Sequence, residues 1–323
     1  MSKKEIQVGG QAVIEGVMMR GPKFLATAIR RKDNSIEIKK DHFESITSKK
    51  KILGLPLIRG FISLLEMMII GFKTLNFSAS RAELDWSAEE AKTAKKQKEK
   101  SPFRQKTEEA VSYIFAFGLA FLLFAYLPYQ IAEWLKLGKE NLYFNLFAGV
   151  IRIIFFVLYV YIISKMKDVK RIFEYHGAEH KSVYAYEKKS SLDSESVQVF
   201  STLHPRCGTS FMFLVLLISI LVFSVIDTIV SSIWGAPAIF LRLGYHMLLF
   251  PLVSGISYEV LKFSGKNITH PIVKFFTAPG LALQRITTQP PDNDQIEVAV
   301  IAMKCALEMD ISEYKNAKII EEA

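Results

Sequence analysis

The sequence predicts a mainly α-helical, polytopic membrane protein with about four transmembrane helices, a small N-terminal β-rich cytoplasmic region and a C-terminal cytoplasmic helical segment. The first observation is composition: half of the 323 residues are hydrophobic, and Phe alone occurs 24 times. The second is that four apolar stretches are each long enough to cross a bilayer. The third is a formal net charge of +9, carried mainly outside those stretches, as in proteins whose basic loops stay in the cytoplasm. Two cysteines, Cys207 and Cys305, do not suffice for a disulfide framework, which fits a reducing compartment.

Residues 1–50 are expected to form the β-rich region, because apolar runs at 11–19 and 24–30 precede a turn signal and an alternating segment. The Gly-rich stretch at 8–22 can cradle an anion through backbone N–H groups, although glycines that permit turns and bulges are the simpler interpretation. No Gly-Lys-Ser/Thr follows it, so the stretch is not a P-loop.

Residues 51–80 are expected to form an apolar helix that lies at the membrane interface or packs on the bundle, and the sequence leaves open whether it enters the membrane. Arg59, Glu66 and Lys73 recur every seven residues and so share one helical face. Ion pairing within the protein is the simple interpretation of Arg59 and Glu66, and a polar wall of an active site is the sharper one.

Residues 81–110 form a charged segment, expected to be an exposed helix or a flexible linker near anionic lipid headgroups. Its Lys-rich run spans residues 92–100. This run lacks the interleaved aromatic residues of nucleic-acid recognition, so membrane lipids are the expected partner and nucleic acid is not.

The four predicted spans form two hairpins, at 111–166 and 210–263, each closed by a short loop with few charges. The spans themselves cover residues 111–135, 142–164, 210–234 and 238–261. Lys and Arg concentrate elsewhere, so the positive-inside rule places both termini, the loop at 167–209 and the segment at 264–323 in the cytoplasm.

Charges inside the spans need partners, because an unpaired charge there is costly. Arg152, Asp227 and Arg242 occupy the middle or the outer half of their spans. We expect ion pairs that fix helix packing, with Arg152 and Asp227 as the first pair. A transporting role for these charges is the alternative, and His246 is interpreted as a hydrogen-bonded bundle residue.

The motif that points to chemistry is the His-x-x-Glu-His pattern of His176, Glu179 and His180. On a helix, positions i, i+3 and i+4 share one face, and Glu187 falls on that face too. The pattern is the inverted form of the zincin motif, in which two imidazoles bind the ion and the glutamate acts as general base. We therefore expect a divalent metal, zinc first, on the two histidines, with Glu179 as the catalytic residue.

Other potential ligands reach the same membrane boundary in the predicted topology. His204 and Cys207 precede the third span directly, and Glu259 lies near the end of the fourth. Glu259 or His204 would complete an open, catalytic site, whereas adding Cys207 would make a closed, structural one. Lys181, Tyr184 and Tyr186 are candidate donors to an oxyanion. The further polar site candidates are Glu174, Glu187, Arg206, Tyr258, Arg59, Glu66, Glu15 and Arg20.

Several longer motifs resemble one known family. They are GQAVIEGVMMRGP at 10–22, Arg59-Gly60, EYHGAEH at 174–180, HPRCG at 204–208 and GISYE at 255–259. Together they resemble the YqhQ-like bacterial membrane proteins, catalogued as domain of unknown function 1385, from about Val8 to Leu307. The resemblance implies a metal-dependent membrane enzyme without an established substrate, located in the bacterial cytoplasmic (inner) membrane.

Three functions follow as hypotheses. The leading one is a metal-dependent hydrolase of a lipid or peptide bond, acting at the cytoplasmic membrane boundary. The second is a non-catalytic scaffold or assembly factor whose histidine cluster is structural. The third is a transporter that uses Arg152 and Asp227, although the sequence shows no internal repeat of the kind that transporters often carry. The substrate, the third and fourth ligands and the oligomeric state stay open at this point.

Overall fold

The computed structural model describes residues 8–93, 102–135, 142–267 and 270–320. It combines a five-stranded sheet with a bundle of long apolar helices. The strands are β1 (Gly9–Val13), β2 (Gly16–Arg20), β3 (Phe24–Arg30), β4 (Ile36–His42) and β5 (Ala317–Ile320). The helices are α1 (Ile46–Lys49), α2 (Ile58–Thr93), α3 (Pro102–Phe121), α4 (Leu127–Trp134), α5 (Leu142–Ile163), α6 (Lys167–Glu187), α7 (Ser194–Gln198), α8 (Gly208–Trp234), α9 (Ile239–Lys266), α10 (Pro271–Thr287) and α11 (Asn293–Ala306), with a 3₁₀ turn at Lys51–Gly54 and a π-helical turn at Leu122–Tyr126.

The sheet is an antiparallel meander of β1 to β4, to which β5 adds in parallel at the β4 edge. This confirms the β-rich N-terminal region, with β3 and β4 on either side of the expected turn. The sequence does not predict β5, because a four-residue strand is too short to show a periodic pattern. The C-terminal segment thus returns to the N-terminal sheet.

The helices α6, α7 and α11 share the largest buried apolar cluster with this sheet. Helix α11 begins with a capping box between Asp292 and Gln295, as the sequence predicts for its start. Its apolar side chains Ile296, Ile301 and Met303 are fully buried. The segment that follows α5, which contains α6 and α7, therefore packs against the N-terminal sheet and the C-terminal helix α11. This packing fixes the position of α6.

Within the part of the chain that the structure describes, the bundle contains four helical stretches that are long and apolar enough to cross a membrane. They are Val111–Trp134, Leu142–Ile163, Gly208–Trp234 and Ile239–Gly265. They agree with the four predicted spans. Helix α8 packs against α5, α9 and α10, while the loop between the first two spans, at 136–141, lies outside the described residues.

Helix α2 is a single helix of 36 residues that links the bundle to the sheet. Near its start, Gly60 lies against α9, where a Cβ atom on Gly60 would come within 2.9 Å of the Gly255 Cα atom. Near its end, Asp85 accepts hydrogen bonds from the Arg31 guanidinium, at 2.8 Å from Nη2. Most of the predicted apolar segment (51–80) and the start of the charged segment (81–110) thus belong to one helix. Residues 94–100 of the Lys-rich run lie outside the described residues.

Arg59 and Glu66 have separate partners. The Arg59 guanidinium donates to both carboxylate oxygens of Glu259, with Nε to Oε1 at 2.7 Å and Nη2 to Oε2 at 2.5 Å. Glu66 accepts from the Ser45 hydroxyl and from the Ile46 N–H, each at 2.8 Å, and so caps α1. Sharing a helical face does not bring the two side chains together, because seven residues rise roughly 10 Å along a helix.

The buried charges of the bundle pair differently from our expectation. Asp227 accepts from Arg242, Tyr245 and His246, which confirms His246 as a hydrogen-bonded bundle residue. The expected direct pair between Arg152 and Asp227 is wrong. Arg152 instead donates from Nε to the Phe124 carbonyl at 2.7 Å, an oxygen in the π-helical turn, where the shifted hydrogen-bond ladder changes which carbonyls are free.

Candidate metal centre

Helix α6 carries the His-x-x-Glu-His motif at the junction of the sheet and the bundle. Three residues separate it from the end of α5, and its buried residues include Tyr175 and Ala178, which belong to the core shared with the sheet. The turn that holds His176 and His180 faces the start of α8 and the end of α10. The predicted helical placement of the motif is confirmed.

His176 is oriented by a backbone carbonyl. Its Nδ1 atom lies 2.8 Å from the Thr287 carbonyl oxygen, and a carbonyl only accepts, so Nδ1 carries the proton and Nε2 presents its lone pair. The close approach depends on Gly177, where a Cβ atom would lie 2.1 Å from the Gln289 carbonyl oxygen. The Gln289 N–H in turn donates to the Phe173 carbonyl at 2.9 Å. Carbonyl orientation of this kind is typical of metal-binding histidines.

His180 is held in the same way. Its Nδ1 atom lies 2.5 Å from the Thr202 carbonyl oxygen, so its Nε2 atom is also left with a lone pair. The side chain is only 2% exposed, and burial lowers the pKa of the imidazole, which stays neutral. The Nε2 atom is buried without a hydrogen-bond partner, a state that native proteins avoid unless the atom has another role.

Cys207 is brought to these histidines by the loop that precedes α8. It is the N-cap residue of α8 and is 5% exposed. Its Sγ atom lies 3.2 Å from the His176 Nε2 atom. The fully buried Gln284 fixes the loop, because its amide bonds both the N–H and the carbonyl of His204, at 2.8 Å and 2.9 Å, and the Ser210 hydroxyl at 2.7 Å.

The resulting His/Cys cluster consists of His176, His180 and Cys207, whose ligand atoms all lie within 4.8 Å of one another. Two imidazole lone pairs and a thiol are the donors that Zn²⁺ and similar borderline-soft ions take. The unpartnered His180 Nε2 atom and the carbonyls behind both rings fit such an ion. Three protein ligands would leave the fourth tetrahedral position to another ligand.

Glu179 lies beside the cluster, packed against the first strand. A Cβ atom on Gly10 would come within 3.0 Å of its Cγ atom, so only glycine fits there without a shift. Burial raises the pKa of the Glu179 carboxyl, and a hydrogen bond from the Gly10 N–H acts in the opposite direction. The carboxyl therefore holds its proton to higher pH than an exposed glutamate does.

His204 forms the outer edge of the site. Its ring centroid lies 5.7 Å from that of His180 and 4.7 Å from that of Tyr184. Burial lowers the pKa of His204 to about 4. Its Nε2 atom lies 3.5 Å from Glu187, which also pairs with Arg206. The candidates Glu187 and Arg206 therefore lie at this edge, where Glu187 contacts both His204 and Arg206.

Glu259 is not brought to the cluster. Its carboxylate is paired with Arg59, and Tyr258 packs at the same crossing of α2 and α9, against Gly60. The residue that the structure brings to the two histidines is Cys207 rather than Glu259. The physical reason is that both carboxylate oxygens of Glu259 are already occupied by one guanidinium.

The remaining polar candidates serve the packing of elements around the site. Glu15 pairs with Arg171, whose Nη2 atom lies 2.6 Å away, and this ties the β1–β2 turn to α6. Glu174 accepts from Gln295 at 3.0 Å. Arg20 lies over the Phe43 ring, 4.6 Å from its centroid, and Glu66 caps α1.

Lys181, a candidate oxyanion donor, is held by two backbone carbonyls. Its ammonium donates to the carbonyls of Gln198 and Phe200, the latter at 2.7 Å. Burial lowers the pKa of this amine. The side chain therefore anchors the segment that leads to Thr202.

Several residues that build the site carry no sequence signal. Thr287 and Thr202 act through backbone carbonyls, which every residue has. Gln284 lies 80 residues from the backbone that it bonds, so no local pattern identifies it. Gly177 is visible in the sequence only as a small residue inside the motif.

Comparison with known proteins gives consistent results. The family model described as "Protein of unknown function (DUF1385)" matches residues 55–309. The "Uncharacterized protein YqhQ" of Bacillus subtilis (strain 168) is 34% identical over 324 residues, which cover 98% of this chain and 98% of that protein. No solved structure matches the chain.

Proposed function

The chain belongs to the DUF1385 family, and on that premise we propose that it is a metal-dependent hydrolase of the bacterial cytoplasmic membrane. The observation that carries the proposal is that the potential ligand atoms of His176, His180 and Cys207 lie within 4.8 Å of one another. Two of these atoms are imidazole nitrogens with a lone pair, and the third is a thiol sulfur. A packing role alone does not explain why the His180 Nε2 atom is buried without a partner.

The three donors are suited to hold Zn²⁺. The carbonyls of Thr287 and Thr202 fix the tautomers, so both Nε2 lone pairs point into the cluster. Cys207 supplies a thiol that would bind as thiolate, releasing its proton. Zinc bound there would supply Lewis acidity toward a substrate carbonyl or phosphoryl oxygen.

Glu179 is the proposed general base. In this role its carboxylate accepts a proton from the attacking water and passes that proton to the leaving group. The raised pKa of the buried carboxyl suits this exchange. Gly10 keeps the carboxylate in place through its backbone N–H, which gives the Gly-rich stretch a part in the site.

The position of the cluster suggests the class of substrate. Cys207 is the N-cap of an apolar helix that is long enough to cross a membrane. The site therefore lies where that helix meets the α/β layer, which is the sheet together with α6, α7 and α11. A lipid or a membrane-bound peptide would have its scissile bond at this depth. Arg206, which is partly exposed beside the cluster, suits a phosphate or a carboxylate of such a substrate.

The test is elemental analysis of the full-length protein purified in detergent, beside the double variant His176→Ala/His180→Ala and the variant Glu179→Gln. We expect close to one metal ion per chain in the wild type and in Glu179→Gln, and none in the double variant. Hydrolysis would then be screened on phospholipids and on fluorogenic esters and peptides, with Glu179→Gln inactive. A folded wild type that takes up no zinc after reconstitution would overturn the proposal.

A structural metal site in a non-catalytic scaffold is the second candidate, favoured by the proximity of His204 to His180. With His204 as fourth ligand the site would be closed. Complementation of a deletion strain separates the two functions. Full complementation by Glu179→Gln, with metal retained, would favour the scaffold over the hydrolase.

A further inference from the structure

A second polar site lies in the bundle, far from the His/Cys cluster. Asp227 follows Cys207 by twenty positions on α8, and this separates the two sites by roughly 30 Å along the helix. A cavity of about 50 Å³ opens beside Asp227, between α4, α5, α8 and α9. That volume is several times the roughly 10–15 Å³ that admits one water, so the cavity has room for a small polyatomic group.

The charges that line this cavity do not balance. Two guanidinium groups, of Arg152 and Arg242, face it together with one carboxylate, of Asp227. Asp227 is 4% exposed and already accepts from Arg242, Tyr245 and His246. Its hydrogen bonds thus come from neighbours other than Arg152.

Arg152 holds the surplus positive charge. Among the described residues, its hydrogen bond goes from Nε to the Phe124 carbonyl, a neutral partner, and the one carboxylate of the lining makes its direct contacts with other residues. The two Nη atoms of that guanidinium carry further N–H donors. A charge without a counterion is costly between apolar helices, so an anion in the cavity would complete the site.

Arg242 is fixed in place and its guanidinium also faces the cavity. Its Nη2 atom donates to the Asn145 Oδ1 atom at 2.6 Å, and its guanidinium lies 5.5 Å from the centroid of the Tyr129 ring. Asn145 in turn donates to the Thr228 hydroxyl at 3.3 Å. The lining is therefore held by side-chain contacts on each wall before any ligand arrives, which lowers the cost of binding.

We propose that this cavity binds one singly charged phosphate group between Arg152 and Arg242. Guanidinium groups match the oxygens of phosphate better than any other side chain does, and the net charge of the lining complements a single negative charge. Two sources offer this chemistry: the phosphodiester of an anionic phospholipid, and free dihydrogen phosphate. The site is separate from the proposed hydrolytic centre and does not depend on it.

The first part of the test uses delipidated full-length protein in a non-ionic detergent and phosphate-free buffer. Inorganic phosphate is titrated while the unfolding temperature is followed, on the wild type, Arg152→Gln and Arg152→Lys. The matched control is Lys165→Gln, which removes one exposed positive charge at the other end of α5. In the second part, each variant is extracted from nanodiscs made of phosphatidylcholine and phosphatidylglycerol. The number of phosphatidylglycerol molecules that stay bound to each protein chain is then counted.

We expect Arg152→Gln to weaken binding by about ten- to a hundredfold, the loss typical of one hydrogen bond to a charged group. Arg152→Lys should weaken it less, because it keeps the charge but loses the planar set of donors, and Lys165→Gln should bind nearly as the wild type does. A phosphate response identifies the free ion as a ligand; retained phosphatidylglycerol without a phosphate response identifies the headgroup. No binding of either by a folded wild type overturns the proposal, and so does equal binding by a folded Arg152→Gln. If Arg152→Gln does not fold, the folded Arg152→Lys decides: weaker binding than in Lys165→Gln supports the proposal, and binding equal to that of the wild type overturns it.

Discussion

The His176 Nε2 atom lies 3.2 Å from the Cys207 Sγ atom, although the two residues are 31 positions apart in the chain. His176 belongs to a helix of the α/β layer, and Cys207 caps an apolar helix of the bundle. The contact therefore joins the two layers of the molecule at one point. Metal bound there would also strengthen the junction between them.

Replacing Cys207 by Ser should abolish stoichiometric zinc binding, because a hydroxyl is a far weaker zinc ligand than a thiolate. Cys305→Ser is the matched control, since this buried thiol lies in the core of α11 and burial raises its pKa to about 11. Zinc content per folded chain is the measurement. Equal zinc in the Cys207→Ser variant and the control would remove Cys207 from the ligand set.

Glu259→Gln should leave zinc binding unchanged, because the Glu259 carboxylate pairs with Arg59 and not with the cluster. The substitution should instead lower the free energy of unfolding by about 1 kcal/mol or less, as expected for a partly exposed ion pair. A double-mutant cycle with Arg59→Gln measures this coupling. Loss of zinc in a well-folded Glu259→Gln would restore Glu259 as a ligand.

Gly177→Ala should weaken zinc binding by about ten- to a hundredfold, the range found for changes behind a metal-binding histidine. The added Cβ atom would lie 2.1 Å from the Gln289 carbonyl oxygen, which pushes the segment that contains Thr287 away from His176. Competition with a chromophoric chelator gives the affinity. Gly118→Ala is the control, because a Cβ atom there meets nothing within 4 Å; similar affinities in the two variants would contradict the argument.

The ion pair of Asp85 and Arg31 should make the docking of α2 on the sheet dependent on pH. Hydrogen bonds from the Arg31 guanidinium hold the pKa of Asp85 below its ordinary value. Because the pKa of Asp85 is lower in the folded state, the ion pair stabilises that state at pH values above the pKa of the unfolded chain, which is about 3.9. This stabilisation is lost as the pH falls through the pKa of the folded state.

Wild type and Asp85→Asn should therefore differ in unfolding temperature at neutral pH and converge as the pH drops below about 4. Circular dichroism in detergent follows the transition. The difference should be small, corresponding to about 1 kcal/mol or less, because the pair is partly exposed to solvent. A gap that stays constant down to pH 3 would show that the carboxylate charge is not what docks the helix.

Local sequence patterns predict the parts of this fold that depend on neighbouring residues. The four apolar spans, the β-rich character of the N-terminal region and the helix that carries His176, Glu179 and His180 follow from length, alternation and helical spacing. The Asp292 cap of α11 follows from its residue type and position. The short strand β5 does not, because its pairing with β4 is decided by a partner about 280 residues away.

The choice among candidate ligands and ion pairs is decided by the tertiary structure. The sequence brings His204, Cys207 and Glu259 to one boundary, but helix packing gives Glu259 to Arg59 and leaves Cys207 for His176. In the bundle it gives Asp227 to Arg242 rather than to Arg152. Hydrogen bonds and ion pairs act over about 3 Å. A sequence pattern places a residue at a depth and on a helical face only to within several ångströms, so it determines which residues are near one another. Only the packed structure determines which of them touch.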